Sequence, residues 1–283
     1  MIVSTLEQVQ KYLPSINFKV DIERLLDFLT RAEDWLTDSI IGTEIRDAVD
    51  QHQEDHVSLH IICSRVICES AYLTVAAEMD LQLSEAGFVV QENNGMAPAS
   101  QQRTERLISS LNTRLNTDCD MLIERLMRFS KAVEAPQVYR SWRGTDQFNY
   151  LTEAFLPTRK DLWRYQNYGV NIGNWQDYFN GIQLMARGID VTAAPYVSLA
   201  EINRLRGLYR AGTANSVQLS AIGMLREVAA STYVKDTKAA RDAAIRARAI
   251  MLESPDDFTE FKGKDCIPLE SVHFNEGHIV DTM

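Results

Sequence analysis

The sequence predicts an all-α protein that contains two helical-bundle units, irregular loops and an extended C-terminal tail. Apolar residues recur with helical spacing along most of the 283 residues. Stretches rich in proline, glycine and polar residues interrupt this period at only a few places. The composition, with 45% hydrophobic and 24% charged residues, is that of an ordinary globular protein. These observations exclude collagen-like and low-complexity classes and favour packed helices.

The first unit is predicted to cover residues 1–133. Ser4 and Glu7 have the spacing of a capping box, which indicates that a helix begins there. Asp21 precedes a second helix with a continuous apolar stripe. Residues 57–79 are apolar on most sides, so we expect this segment to form a central, buried helix.

Residues 84–100 interrupt the helical pattern with glycine, proline and an Asn-Asn-Gly turn signal. Phe88, Val89 and Val90 stand beside this turn, and we expect them to form a short strand or the arm of a β-hairpin. The helical period then returns and continues to about Phe129.

Residues 134–160 contain two prolines, a glycine and scattered aromatic residues without a clean period, which predicts a linker. A second helical unit is expected over residues 161–252. The order of segments there follows that of the first unit: a Leu-Pro pair, an irregular stretch, an amphipathic helix, a glycine and a helix rich in small residues. We interpret this parallel as a duplication of one helical unit.

The tail over residues 253–283 has a different character. It contains eight acidic residues and two lysines, and therefore carries −6 of the chain's net charge of −10. Its prolines and glycines exclude a continuous helix, while apolar residues, including Phe258, Phe261 and Phe274, recur along it. The pattern is typical of an extended acidic arm that docks on another surface.

The charge balance, 29 basic against 39 acidic residues, does not fit a general nucleic-acid binder, whose surface is basic. The first residues lack the basic and apolar regions of a signal peptide, and no run of 18 apolar residues occurs. The four cysteines have no metal-binding spacing, which favours reduced thiols. We therefore expect a soluble protein that is made in a cytoplasm and does not enter a membrane.

One histidine pattern has the spacing of a metal site. His52, His56, His60 and Cys63 recur at intervals that place them on one face of a helix. Such a face is able to bind zinc or nickel. The spacing alone fixes no coordination geometry, an HExxH motif is absent, and a further ligand has to come from elsewhere. We therefore expect ordinary polar histidines and no metal.

Motifs for catalysis are absent from the sequence. It contains no phosphate-binding loop, no GxSxG elbow and no recognisable set of nucleophile, base and orienting group. Cys63 and Cys68 fall in the apolar segment 57–79, where cysteine serves as a small packing residue. The sequence thus predicts no enzymatic activity and no cofactor.

A basic helix is predicted near residues 235–252 and carries Arg241, Arg246 and Arg248. Three interpretations stay open for it. The arginines form the solvated face of an ordinary amphipathic helix, or they face an acidic partner or DNA. In the third interpretation they receive the acidic tail of a neighbouring copy, which suits head-to-tail assembly.

The N-terminal order of elements resembles that of the head–tail connector, or head-completion, proteins of tailed bacteriophages, in the form found in Bacteroidetes phages. Members open with a helix of the pattern T-L-x-x-V/L-x-x-Y-L and continue with D-x-x-x-L-x-x-x-L-x-x-A. The matching positions are Thr5, Leu6, Val9, Tyr12 and Leu13, followed by Asp21, Leu25, Leu29 and Ala32. The resemblance covers roughly residues 1–130.

This resemblance implies an all-α virion protein, made in the cytoplasm of a bacterial host. It implies a ring, commonly of twelve copies, that lies between the portal protein and the tail proteins. Extended arms join neighbouring copies in such rings, and the genome passes through the channel without sequence-specific binding. The expected contacts lie in residues 86–98, the linker and the tail. The interface residues predicted there and on the basic helix are Phe88, Val89, Val90, Trp142, Arg143, Arg241, Arg246, Arg248, Phe258, Phe261 and Phe274.

Two other hypotheses remain from the residues themselves. In the first, the chain is a helical metal-binding protein or enzyme that uses the His52, His56 and His60 face. In the second, it is a helical interaction protein of a bacterial host.

Overall fold

The computed structural model describes residues 1–13, 22–51, 55–79, 82–84, 87–89, 101–132, 134–165, 172–261 and 266. Within these residues the secondary structure is helical except for one short hairpin. The all-α prediction is therefore confirmed.

The N-terminal helices follow one another through short turns. They are α1 (Leu6–Tyr12), α2 (Ile22–Leu36), α3 (Gly42–Gln51), α4 (Val57–Met79) and α5 (Gln101–Phe129), with a π-helical turn over Thr37–Ile41 between α2 and α3. The capping box of α1 consists of Thr5 and Gln8, one residue later than the predicted Ser4 and Glu7. Gly42 ends the π-helical turn with a positive φ of 75°, which glycine adopts without strain.

Helix α4 is the centre of the N-terminal part and packs against both α2 and α5. Its buried side chains point in several directions, among them Leu59, Ile62, Val66 and Ile67. Among the described residues, Val57–Ala76 is long and apolar enough to cross a membrane by length and composition. More than half of this stretch is buried inside the protein, as expected for the predicted core helix.

A two-stranded antiparallel hairpin follows α4, with strands β1 (Gln82–Ser84) and β2 (Gly87–Val89). Gln82 pairs with Val89, and Ser84 pairs with Gly87. The predicted hairpin arm is thus present in Phe88 and Val89, while Val90 lies outside the described residues.

The predicted linker 134–160 is instead a folded segment, so that prediction was wrong. It contains α6 (Gln137–Ser141), a 3-10 turn over Trp142–Gly144, α7 (Asp146–Leu151) and the start of α8 (Arg159–Tyr165). Phe148 and Leu151 are buried, as is Trp142, whose indole N–H donates to the Ile40 carbonyl at 2.8 Å. Each helix is too short to display a helical period in sequence.

The chain divides into two compact units whose boundary differs from the predicted one. The first contains Met1–Leu151, Pro157–Trp163 and Asn171–Asn180. The second contains Thr152–Leu156, Arg164–Val170 and Gly181–Met283. Most of the expected linker therefore belongs to the first unit.

The remaining helices begin with α9 (Trp175–Thr192), which continues from the first unit into the second. They continue as α10 (Ala194–Val197), α11 (Leu199–Ala211), α12 (Ser216–Tyr233) and α13 (Thr237–Glu253), before a 3-10 turn over Pro255–Asp257. α12 and α13 pack closely through buried alanines. Gly188 of α9 allows the side chain of Thr232 to approach, since a Cβ there would lie 2.3 Å from the Thr232 hydroxyl oxygen.

The order of helices from α9 to α13 parallels the order from α2 to α5. In both, a long helix leads through a one-turn helical element into a helix of 10 or 13 residues, and two long helices follow. The interpretation of a duplicated unit stays a prediction.

Candidate oligomer interface

The root of the acidic C-terminal arm, residues 254–261, is held against the second unit. After α13 the chain turns through Pro255–Asp257, and Phe258 is then only 1% exposed. Polar side chains at the starts of α11 and α12 also contact the root. We call this set the arm clamp; it consists of Ser198, Glu201, Arg204, Asn215 and Gln218.

Glu201 is the centre of the arm clamp. Its carboxylate is fully buried and accepts the backbone N–H of Glu260 at 2.8 Å. Arg204, one turn later on α11, donates to the same carboxylate at 3.0 Å. The Ser198 hydroxyl caps α11 and also donates to the Glu260 carbonyl at 3.1 Å. Both polar groups of the Glu260 backbone are thereby satisfied.

Asp257 is held in the same way at the start of α12. Its backbone carbonyl accepts from the Gln218 amide at 2.9 Å and from the Arg204 guanidinium. Its side-chain oxygen accepts from the Asn215 amide at 2.7 Å. Asn215 and Gln218 are also the capping box of α12. Because the same residues cap α12 and hold the arm root, folding of this unit fixes the point at which the arm leaves its surface.

Apolar side chains remain exposed beside the arm clamp. Leu199 and Leu219 directly follow the clamp residues Ser198 and Gln218, and Leu252 lies at the end of α13. Each of the three is about half exposed. A polar clamp with apolar neighbours has the character of a contact surface between proteins.

The predicted interface residues are distributed unevenly. Arg241 and Arg246 are exposed, and Arg143 and Phe261 are partly exposed. Trp142, Arg248 and Phe258 are buried in their own unit, so their prediction as interface residues was wrong. Phe88 and Val89 lie on β2, whereas Val90 and Phe274 are outside the described residues.

The basic helix α13 uses its arginines mainly within the second unit. Arg246 forms an ion pair of 2.5 Å with Glu227 on α12. Arg241 donates to the Tyr196 hydroxyl at 2.8 Å. With Arg248 buried as well, these contacts favour the first of the three interpretations, an amphipathic helix on its own unit.

The histidine face is not assembled as a metal site in the part of the chain that the structure describes. His56 is buried and forms a hydrogen bond between its Nδ1 and the Tyr139 hydroxyl. Burial lowers the pKa of His60, which favours its neutral form. No group of three metal-binding side chains occurs among the described residues, and His52 lies outside them.

The cysteines have the properties of packing residues. All four are free thiols and buried. Burial raises the pKa of both Cys63 and Cys68 to about 12, so neither forms the thiolate that nucleophilic chemistry requires. The packing prediction for these two residues is confirmed.

A buried carboxyl pair between α4 and α5 has no counterpart in the sequence predictions. Glu69 and Asp118 are fully buried. Arg114 lies 2.9 Å from Glu69, and Arg65 donates to Asp118 at 2.5 Å. Burial, and next to it the Asp118 charge, raise the pKa of Glu69 to about 7. The four residues join two core helices electrostatically.

Residues 21–150 match the model of a family of unknown function, DUF6712. No curated protein and no solved structure matches the chain. The matched range corresponds to most of the first unit and excludes the arm clamp. The similarity therefore adds no activity, substrate or partner to what the residues indicate.

Proposed function

We propose that this chain is a structural virion protein that forms a ring adaptor between the portal and the tail of a tailed phage. The observation that carries the proposal is the arm clamp, which fixes the root of the C-terminal arm on a folded helical unit. The arm is acidic and contains recurring apolar residues. An enzyme would need a set of reactive groups, whereas an adaptor needs a rigid body and a defined point of departure for its arm.

A clamped root favours ring closure for a physical reason. Each copy in a closed ring must offer its arm to the next copy in the same direction. An arm whose first residues are already ordered loses less conformational entropy when it binds. The residues beyond the root, 262–283, retain apolar side chains for such a contact.

The charge of the chain supports the remaining part of the proposal. Copies that each carry a net charge of −10 repel DNA overall and so avoid the counterion-release binding that basic surfaces produce. The proposed partners are further copies of the chain, the portal protein and neighbouring tail or ring proteins. The proposed location is the virion, after synthesis in the bacterial cytoplasm.

The test is the mass of the full chain by light scattering, with and without a purified portal ring from the same genome. We expect a ring, either alone or only when the portal is present. A monomer that ignores the portal would contradict the proposal.

A matched pair of truncations tests the role of the arm. Deletion of residues 262–283 keeps the arm clamp and its contacts, whereas deletion of residues 253–283 also removes Phe258 from its buried position. We expect the shorter deletion to unfold at the same temperature as the intact chain but to lose assembly. Unchanged assembly would exclude the arm as the joint between copies.

A further inference from the structure

A groove of about 450 Å³ lies over α4 on the first unit. This volume is within the range of sites that bind small ligands or single side-chain clusters. The groove is lined by residues from α2, α4, α5 and the start of α9. Its apolar members are Phe28, Ala32, Trp35, Leu73, Leu115 and Trp175. The rings of Phe28 and Trp35 are partly exposed and suit the capture of apolar side chains, whereas Trp175 is buried beneath them.

The groove also presents groups that suit a peptide backbone. The indole N–H of Trp35 is buried and has no hydrogen-bond partner among the described residues. A peptide carbonyl reaches this donor only when the side chains that cover it move aside. Asn112, Asn174 and Gln176 add side-chain amides, which both donate and accept.

The charge of the groove distinguishes it from other cavities of the same unit. Arg31 is the one charged side chain among the described residues that line it. Two other cavities each contain two carboxylates and no lysine or arginine, namely Asp55 with Glu134 and Asp38 with Glu44. A third contains Asp120 and Glu124, whose charges Arg159 and Lys160 balance. On an acidic protein, the groove without carboxylates is the one that tolerates an acidic segment.

We propose that this groove receives the C-terminal segment 267–283 of a second copy of the chain. The segment carries Glu270, Glu276 and Asp281 among seven apolar residues: Ile267, Leu269, Val272, Phe274, Ile279, Val280 and Met283. Its 17 residues span at most about 60 Å when extended, which sets the longest distance over which it can reach a neighbouring copy. The inference rests on the proposed ring, in which arms join neighbours, and adds the place where each arm ends.

The recognition has three parts. An aromatic or branched side chain of the segment enters between the rings of Trp35 and Phe28. A carbonyl of the segment accepts the Trp35 indole N–H. A carboxylate of the segment lies near Arg31, which is exposed on α2. Apolar contact supplies the affinity, and the single positive charge fixes orientation and partner choice.

The test is a photo-cross-link from the full-length chain. Phe274 is replaced by p-benzoylphenylalanine, equal amounts of unlabelled and ¹⁵N-labelled protein are mixed, and irradiated samples are analysed by mass spectrometry. We expect cross-links from position 274 to peptides that contain residues 28–35 or 70–74, half of them between differently labelled chains. Cross-links elsewhere, cross-links only within one label, or none at the highest soluble concentration would overturn the inference.

Arg31→Glu and Arg106→Glu form a matched pair for the charge contact. Both arginines are exposed on helices of the first unit, and only Arg31 lines the groove. We expect Arg31→Glu to lower the cross-link yield about tenfold, since one attractive contact becomes repulsive. Arg106→Glu is expected to leave the yield unchanged. Equal effects of the two variants would contradict a specific role for the groove.

The outcomes separate this inference from the ring proposal. Cross-links into the groove in a protein that forms no ring, either alone or with the portal, would uphold the inference and reject the ring. Rings whose cross-links fall outside the groove would uphold the ring and reject the inference.

Discussion

The carboxylate of Glu201 accepts the backbone N–H of Glu260 at 2.8 Å, across 59 residues of sequence. Glu201 belongs to the first turn of α11, and Glu260 belongs to the root of the acidic arm. One buried side chain thus connects the cap of a helix to the point where the arm departs. The stability of the second unit and the direction of the arm are coupled through this contact.

Replacement of Glu201 by alanine is expected to loosen the arm root and destabilise the second unit. The substitution leaves the Glu260 N–H and part of the Arg204 guanidinium without their buried acceptor. Loss of one partner from such a network costs about 3 kcal/mol. Urea unfolding measures the loss, and limited proteolysis is expected to cut first within residues 254–261.

Glu227→Ala is the control for that prediction. Glu227 also pairs with an arginine, but the Arg246 partner is half exposed, so we expect a loss below about 1 kcal/mol. Equal losses in the two variants would show that burial of Glu201 has no special effect.

Gly188→Ala is expected to destabilise the second unit because α9 and α12 approach each other at this glycine. The new Cβ would lie 2.3 Å from the Thr232 hydroxyl oxygen and 2.6 Å from its Cβ, so the helices must separate. Overpacking of this kind costs about 1–3 kcal/mol. Gly207→Ala on α11 meets nothing within 4 Å and is expected to stabilise its helix by about 1 kcal/mol. Thermal unfolding should move in opposite directions for the two variants.

Local patterns predict the existence of helices better than their limits. Ser4 and Glu7, and equally Thr5 and Gln8, satisfy the capping-box spacing. The structure uses the second pair. The sequence offers no local reason to prefer one over the other, since the choice depends on how the helix packs.

Contacts between distant residues have no local signal. Ser198 with Glu201, and Asn215 with Gln218, follow patterns that predict helix starts. Nothing in those patterns predicts that the same side chains also bind residues 257–260. The short helices within residues 134–160 are also hard to predict. A helix of five or six residues completes fewer than two turns, so it shows no helical period in the sequence.

Trp142→Phe tests the corrected position of Trp142 in the core. The substitution removes the indole N–H that donates to the Ile40 carbonyl, and with it a buried hydrogen bond. We expect a loss of about 1–3 kcal/mol in urea unfolding and no change in assembled mass. Trp163→Phe is the control, since this tryptophan is largely exposed and its loss is expected to stay within about 0.5 kcal/mol. A variant of Trp142 that folds normally but fails to assemble would restore the interface prediction.

The buried Glu69 carboxyl is expected to make the protein less stable as pH rises from 5 to 8. Burial and the Asp118 charge raise the pKa of Glu69 from 4.5 to about 7. Between these values the folded state holds a proton that the unfolded chain releases. The free energy of unfolding therefore falls with rising pH across that window. Because Arg114, the partner of Glu69, is partly exposed, solvent screens part of this effect. We therefore expect the free energy of unfolding to fall by roughly 2–3 kcal/mol.

Urea unfolding at pH 5 and pH 8 measures this change, and two variants identify its origin. Glu69→Gln cannot titrate and is expected to lose most of the difference. The remainder comes from other buried groups: burial raises the pKa of Asp120 to about 6 and also raises those of Glu33 and Asp118. His60 acts in the opposite direction, since burial lowers its pKa.

Glu124→Gln removes an exposed carboxylate that pairs with Lys160 on the surface, and it should leave the difference intact. If Glu69→Gln keeps the full difference between the two pH values, Glu69 is charged throughout, and its pairing with Arg114 outweighs its burial.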